Sequence, residues 1–139
     1  MLISEFSMEC NASEAKIWEI FTDVENWKEW IDGIEYSTID GNFEDDTRVT
    51  IKNIKKSKWS TPLKDVVVNK SFILPAKMPL SIAKVDFIHE IVKDNNVLKV
   101  RFAVEIFGPL AFIFKPIFKK NVSKNVIESA KKVVELAEK

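Results

Sequence analysis

The sequence predicts an α+β fold in which a curved antiparallel sheet wraps around a long C-terminal helix. Three observations predict it. Apolar and polar residues alternate with a period of two over much of residues 34–106, which is typical of strands. Short turn-type segments separate the strands, which favours antiparallel pairing. From Pro109 onward the pattern is helical, and the apolar face of such a helix must be buried against another element.

The chain begins with a strand and two short helices. Residues 2–9 alternate between two sets of side chains, which predicts the strand. Asn11 and Glu14 have the three-residue spacing of a capping box, so a helix is expected over 12–22. A second short helix is expected over 24–31, because its two tryptophans are three residues apart and share one helix face.

Six further strands follow Gly33, bounded by turn-type residues. Together with the first strand they make a seven-stranded sheet. A linker around Met78-Pro79 joins the fourth of these six strands to the fifth. The predicted strands are 34–40, 47–54, 58–68, 70–76, 83–93 and 97–106.

The last two strands can be aligned with each other from the sequence. Asn95-Asn96 suits a two-residue turn because asparagine tolerates a positive φ. The resulting register places seven apolar residues and His89 on one face, which is therefore expected to be buried. Glu90 then faces Arg101 on the other side as a cross-strand ion pair. The pairs on the buried face are Ile91–Val100, His89–Phe102, Phe87–Val104 and Val85–Ile106.

A long helix is predicted from Pro109 to about Ala137. Proline fits the first turn of a helix, whereas Pro116 should kink or break it because proline has no backbone N–H. The apolar stripe changes at the same point. It consists of Leu110, Ile113, Phe114 and Ile117 before the break, and of Val122, Val126, Ala130, Val133 and Ala137 after it. A sheet that grasps this helix makes a helix-grip arrangement.

Composition excludes several classes of protein. The length of 139 residues suits one domain, 1–139, and 46% hydrophobic residues exclude intrinsic disorder. Basic and acidic residues number 21 each, which argues against nucleic-acid binding. One cysteine, Cys10, and one histidine exclude an internal disulfide and the usual zinc sites. With three glycines there is no glycine-rich phosphate loop, and neither a cofactor nor a metal is expected.

No targeting or membrane-spanning segment is expected. The N-terminal residues have neither a basic region nor a long apolar region. The longest apolar run, 106–114, has nine residues and contains Gly108-Pro109, whereas a span needs about 20. A cytoplasmic protein, monomeric or weakly dimeric, is therefore expected.

Charge is distributed unevenly along the chain. Residues 1–46 carry 13 acidic and 2 basic residues, a net charge of −11, and residues 47–139 carry 8 and 19, a net charge of +11. Either the two parts fold together and neutralise each other, or the second part forms a basic face that binds an anionic group or partner. A salt titration of any binding activity separates these alternatives, because salt screens surface charges.

Three segments, taken in order, resemble the START-like superfamily in its polyketide cyclase/dehydrase and lipid transport branch (SRPBCC). They are a W, D, W, W pattern at Trp18, Asp23, Trp27 and Trp30, the strand motif FIHE at 87–90, and the strand-to-helix junction FGPLA at 107–111. The resemblance covers essentially the whole chain. Thr47, where glycine is frequent in the family, and Pro116 depart from it.

This resemblance implies a sheet around the long helix, with a cavity for an apolar small molecule. It does not decide the function, because one fold hosts many. Three functions stay open. They are binding or transport of a small hydrophobic or amphipathic ligand, a cyclase- or dehydratase-type enzyme acting on a polyketide-like substrate, and a protein-interaction module. The module would dock through the apolar segment 106–118, which could instead wall or gate the cavity.

His89 is the candidate for orienting the polar end of a ligand, since its ordinary pKa lies near neutral pH. It is otherwise a core histidine or, only if the protein is an enzyme, an acid/base catalyst. No catalytic constellation is apparent, because Glu90 points to the opposite face of the strand. Trp27 is expected near the cavity mouth, while Trp30 plugs one end. The candidate ligand-binding residues are Trp27, Trp59, Phe87, His89, Phe102, Val104, Leu110 and Phe114.

Overall fold

A computed structural model describes residues 1–55, 58–77 and 83–139, and the expected linker at Met78-Pro79 lies outside them. The strands are β1 (Leu2–Glu9), β2 (Ile34–Ile39), β3 (Arg48–Asn53), β4 (Lys58–Pro62), β5 (Lys64–Val67), β6 (Ser71–Lys77), β7 (Lys84–Asp94) and β8 (Val97–Phe107). The helices are α1 (Glu14–Thr22), a 3-10 helix (Val24–Glu29) and α2 (Ala111–Ala137).

The described strands form two hydrogen-bonded antiparallel sheets instead of one seven-stranded sheet. Five strands pair in the order β1-β8-β7-β6-β5, and three pair in the order β2-β3-β4. The additional strand arises because the predicted strand 58–68 divides at Leu63. The Leu63 N–H donates to the carbonyl of Thr47, and the Leu63 carbonyl accepts from Asp46, both at 2.9 Å. At this bend the chain passes from one sheet to the other.

The β7–β8 hairpin has the predicted register. Its turn residues Asn95 and Asn96 have φ of 51° and 69°, as a two-residue hairpin turn requires. Glu90 accepts a hydrogen bond from Arg101 across the strands, and Arg101 also contacts Glu5 at 2.6 Å. The four predicted pairs Ile91–Val100, His89–Phe102, Phe87–Val104 and Val85–Ile106 are all present, with Phe87 half-buried and the other seven residues buried.

The short helices differ in detail from the prediction. Ser13, not Asn11, is the N-cap of α1, because its hydroxyl accepts from the Lys16 N–H at 3.1 Å. Asn11 instead donates its backbone N–H to the Glu138 carboxylate at 2.8 Å, which joins the start of α1 to the end of α2. The second helix is a 3-10 helix that ends at Glu29, two residues before the predicted end.

The long helix continues through Pro116, where the sequence predicts a kink or a break. Pro116 is the sixth residue of α2 and removes the hydrogen bond to the carbonyl of Phe112. The Phe112 side chain is 65% exposed. The helix nevertheless continues to Ala137.

The long helix packs on β1 and β8 of the five-stranded sheet, which is the predicted placement of the helix against a sheet. The stripe after Pro116 is buried as expected, comprising Val122, Val126, Ala130, Val133 and Ala137. The stripe before it is not, because Leu110, Ile113 and Ile117 are exposed and Phe114 is half-buried. Within the part of the chain that the structure describes, no helix has both the length and the apolarity of a membrane span.

Candidate functional site

A cavity of about 230 Å³ lies between the inner faces of the two sheets and α2. Its wall is mostly aliphatic and aromatic. The three-stranded sheet contributes Ile51, Asn53 and Trp59, and the five-stranded sheet contributes Leu74, Phe87, His89, Phe102 and Val104 among others. The helix α2 contributes Val122, Asn125, Val126 and Ser129. Trp30 closes the wall from the end of the 3-10 helix.

His89 lies in an aromatic cage that the strand register builds. Phe72 on β6, His89 on β7 and Phe102 on β8 are direct cross-strand neighbours. The imidazole stacks on Phe72 with ring centroids 4.3 Å apart and meets Phe102 edge-on at 4.8 Å. Trp30 and Phe21 complete the cage at 5.7 Å and 6.1 Å. These contacts fix the orientation of the ring.

Burial in this cage keeps His89 neutral. The residue is 6% exposed. Burial lowers the pKa of His89 from 6.5 to about 3, because the imidazolium form would lose its hydration. The backbone groups of Phe72 and Phe87 counteract only part of this effect. At neutral pH the ring is therefore an uncharged hydrogen-bonding group and a weak base.

Two polar atoms of the wall have no hydrogen-bond partner among residues 1–55, 58–77 and 83–139. They are Nε1 of Trp30 and Nδ1 of His89, and both are fully buried. Trp27 differs from Trp30 in this respect, because Nε1 of Trp27 donates a hydrogen bond to the Phe21 carbonyl at 2.9 Å. A buried polar group without a partner costs about 1–3 kcal/mol. A ligand oxygen that met either atom, after a small movement of the side chains that cover it, would recover that cost.

The cavity reaches the surface between the segment after the 3-10 helix and α2. There its lining includes exposed Asp32, exposed Asn125 and half-buried Ser129. The Asp32 carboxylate accepts a hydrogen bond from Lys132 at 2.7 Å. That hydrogen bond lowers the pKa of Asp32 and raises the pKa of Lys132, so both groups are charged at neutral pH. This ion pair joins the two sides of the cavity mouth.

The structure brings five of the eight candidate residues together around the cavity. Trp59, Phe87, His89, Phe102 and Val104 all line it. Each lies on a strand, where alternation along the sequence determines the face on which a side chain lies.

The other three candidate residues lie elsewhere. Trp27 is 0% exposed and stacks on Phe72 with ring centroids 5.8 Å apart. Trp30, the residue that follows the 3-10 helix, reaches the cavity instead. Leu110 is the N-cap of α2, and Phe114 packs against the core. Both precede Val122, which is the first residue of α2 that lines the cavity. At a rise of 1.5 Å per residue, Leu110 lies about 18 Å from Val122 along the helix axis.

The helix side of the cavity was not predicted from the sequence. Val122, Asn125, Val126 and Ser129 have helical spacing and share one face of α2. The apolar members were recognised as a buried stripe, but the polar members were not connected to it. An asparagine and a serine within a buried helical stripe are the signal that could have located this wall.

The described residues offer binding groups more readily than a reaction centre. Cys10 lies outside the cavity wall, and burial raises the pKa of its thiol, which disfavours the nucleophilic thiolate. In the described ranges, no three His, Cys, Asp or Glu side chains converge on a point that could hold a metal ion. Asn53 also lines the cavity, which adds an amide to the polar groups of Trp30 and His89.

Comparison with known proteins shows likeness in structure without close likeness in sequence. No family model matches the chain, and a search of the curated proteins found no match. The Zhui aromatase/cyclase from Streptomyces sp. R1128 is 13% identical, with a TM-score of 0.67 over 96% of this chain and 92% of that one. Ara h 8.0201 is 14% identical, with a TM-score of 0.63 over 96% and 95% of the two chains.

A third structure, the di-domain ARO/CYC StfQ from the steffimycin biosynthetic pathway, is 10% identical with a TM-score of 0.71. The match covers 99% of this chain and 51% of StfQ. At such identities the likeness shows the fold alone. It confirms the predicted α+β helix-grip fold class.

Proposed function

We propose that residues 1–139 form a single domain that binds or transports a small, mostly apolar molecule in the cavity between the sheets and α2. One observation carries the proposal: two buried polar atoms, Trp30 Nε1 and His89 Nδ1, lack partners in a wall that is otherwise largely apolar. An apolar wall with a few convergent polar groups is the usual composition of a small-molecule site.

The wall favours a neutral ligand with one hydrogen-bonding end. Phe87, Phe102 and Val104 would enclose the apolar body, and each Å² of apolar surface removed from water contributes about 25 cal/mol. Lost translational and rotational freedom offsets part of this gain. The Trp30 indole N–H can only donate, so the ligand group that faces it must contain an acceptor. No cationic side chain lines the described cavity, so a buried carboxylate would lack a counter-ion.

Native mass spectrometry of the protein purified from its own host tests the proposal. We expect a bound molecule of low mass that is released on denaturation. Ser129→Trp should abolish that adduct, because the larger side chain fills the cavity at its mouth. Lys131→Trp is the matched control, since Lys131 is exposed on the same helix and does not line the cavity.

The proposal would be wrong if the purified protein carried no adduct and also bound no member of a library of neutral amphipathic molecules. It would also be wrong if Ser129→Trp and Lys131→Trp retained the adduct equally.

A cyclase-type enzyme is the second candidate, favoured by the likeness to the Zhui and StfQ aromatase/cyclases. A cavity can accelerate ring closure by holding a chain in a reactive conformation. The low pKa of His89 argues against a general-base role at neutral pH. Turnover of a polyketide-like substrate that falls at least tenfold in His89→Gln, with ligand affinity retained, would favour the enzyme. Unchanged turnover would remove His89 from the mechanism.

A cytoplasmic location and a monomeric or weakly dimeric state are part of the same proposal. Fractionation of host cells measures the first, and light scattering coupled to size-exclusion chromatography measures the second. A molar mass near 16.0 kDa is expected for the monomer.

A further inference from the structure

The strand end before α2 and the first turns of that helix form an apolar surface outside the cavity. Phe107, Leu110, Phe112, Ile113 and Ile117 are between 41% and 65% exposed, and none of them lines the cavity. Exposed apolar side chains that are scattered singly are normal on a protein surface. Five large ones within the short segment 107–117 make a patch, which indicates an interaction surface.

The same part of the chain carries positive charge only. Residues 106–127 contain four lysines and no acidic residue. In the portion of the chain that the structure describes, none of the four takes part in an ion pair. The lysines are Lys115, Lys119, Lys120 and Lys124, of which the last three are exposed.

Helix geometry places apolar and basic side chains on one face. Ile113, Ile117, Lys120 and Lys124 are spaced four, three and four residues apart, which is one stripe along a helix. The stripe is apolar in the first turns of α2 and basic in the turns that follow. We call the exposed residues of 107–117 together with Lys119, Lys120 and Lys124 the basic apolar face.

We propose that the basic apolar face docks on the surface of an anionic lipid bilayer. The apolar side chains would enter the headgroup region, and the lysines would lie against the anionic headgroups. A second copy of the chain is a poorer occupant, because a symmetric contact would bring two sets of lysines together. A bilayer also accepts isolated Phe, Leu and Ile side chains without requiring a complementary pocket.

Sedimentation of the full chain with vesicles tests this proposal. One set of vesicles contains phosphatidylcholine alone, and the other contains equal parts of phosphatidylcholine and phosphatidylglycerol. The protein should sediment with the anionic vesicles and remain in solution with the neutral ones. Added sodium chloride should release it, because salt screens the lysines.

Variants at exposed positions separate the two contributions. Phe112→Ser should weaken binding about tenfold or more, because it removes a large apolar side chain from the interface. Lys119→Ala and Lys120→Ala should each weaken it about fivefold, the equivalent of about 1 kcal/mol for each lysine near an anionic surface. Val68→Ser and Lys131→Ala are the matched controls, since both residues are exposed outside the face, and they should bind like the wild type.

Three results would overturn the proposal: no sedimentation with anionic vesicles, equal binding to neutral vesicles, or equal losses in the controls and the face variants. A dimer that Phe112→Ser dissociates, without vesicle binding, would assign the face to a second copy. Binding to an acidic protein without vesicle binding would assign it to a protein partner. Each of these outcomes leaves the cavity proposal standing, because Ser129 and Trp30 lie outside the face.

Discussion

His89, with its neutral imidazole, is the residue that determines which polar groups the cavity can bind. Its flat stacking on Phe72 and the edge contact of Phe102 leave no room for the hydration that a charged ring needs. The Nδ1 atom has no partner among the described residues and belongs to an uncharged ring, so the group that suits it is a neutral hydrogen-bonding one. A neutral imidazole can orient a ligand through a hydrogen bond, whereas proton transfer at neutral pH would need a higher pKa of His89.

The low pKa of His89 makes stability depend on pH. In the unfolded chain the imidazole takes up a proton below about pH 6.5, whereas burial lowers its pKa to about 3 in the folded protein. The unfolded state therefore binds one more proton between these values. The free energy of unfolding should fall by about 1.4 kcal/mol for each pH unit as the pH is lowered through this window.

Urea denaturation of the wild type and of His89→Leu measures this effect as a difference between two slopes. The variant keeps the other titrating groups, so its free energy of unfolding should fall less steeply with decreasing pH, by about 1.4 kcal/mol per unit. Identical slopes between about pH 6 and pH 4.5 would contradict a buried neutral imidazole.

Among the elements, the β7–β8 hairpin determines which strand residues line the cavity. The two-residue turn at Asn95-Asn96 determines how β7 and β8 pair. Asn96 has φ of 69°, in the left-handed region that glycine adopts freely and β-branched residues avoid. Asn96→Gly should leave the free energy of unfolding unchanged or raise it slightly. Asn96→Val should lower it by about 1–2 kcal/mol. Thermal unfolding of both variants checks the pair, and equal stability would contradict the turn geometry.

Structural elements that depend on residues close together in the sequence could be predicted from it. The alternating strands and the Asn95-Asn96 turn were sufficient to give the hairpin register residue by residue. Features decided by distant contacts could not be predicted. Asn11 and Ser13 both suit an N-cap, but Ser13 caps α1, and the backbone N–H of Asn11 donates to Glu138, which lies 127 residues away. Leu63 divides a predicted strand because its backbone pairs with Asp46 and Thr47.

The strand side of the candidate site could be predicted from the sequence, but the helix side could not. Strand alternation placed Phe87, His89 and Phe102 on the inner face, and they line the cavity. The position of α2 along the sheets depends on packing, so its contribution at Asn125 and Ser129 was not foreseen. Trp27 was expected near the cavity mouth, whereas it is buried and stacks on Phe72, because its position also depends on packing.

Across the whole molecule, folding brings the acidic first part of the chain against the basic second part. Three ion pairs of the described residues join the two parts: Glu35–Lys52, Glu5–Arg101 and Asp32–Lys132. These contacts show that the two parts of the chain neutralise each other at three points. The lysines of 106–127 take part in no ion pair with the described residues, and they underlie the proposed membrane face.

The central claim is that a ligand enters the cavity between the sheets and α2 and bonds to Trp30. The indole N–H resonances of the four tryptophans in a proton–nitrogen NMR spectrum test it most directly. On addition of the molecule that co-purifies with the protein, or of a bound library member, the Trp30 resonance should shift furthest and Trp59 should respond as a second wall residue. Trp27, whose N–H is bonded to Phe21, should stay in place. A bound ligand that leaves the Trp30 resonance unmoved would contradict the account.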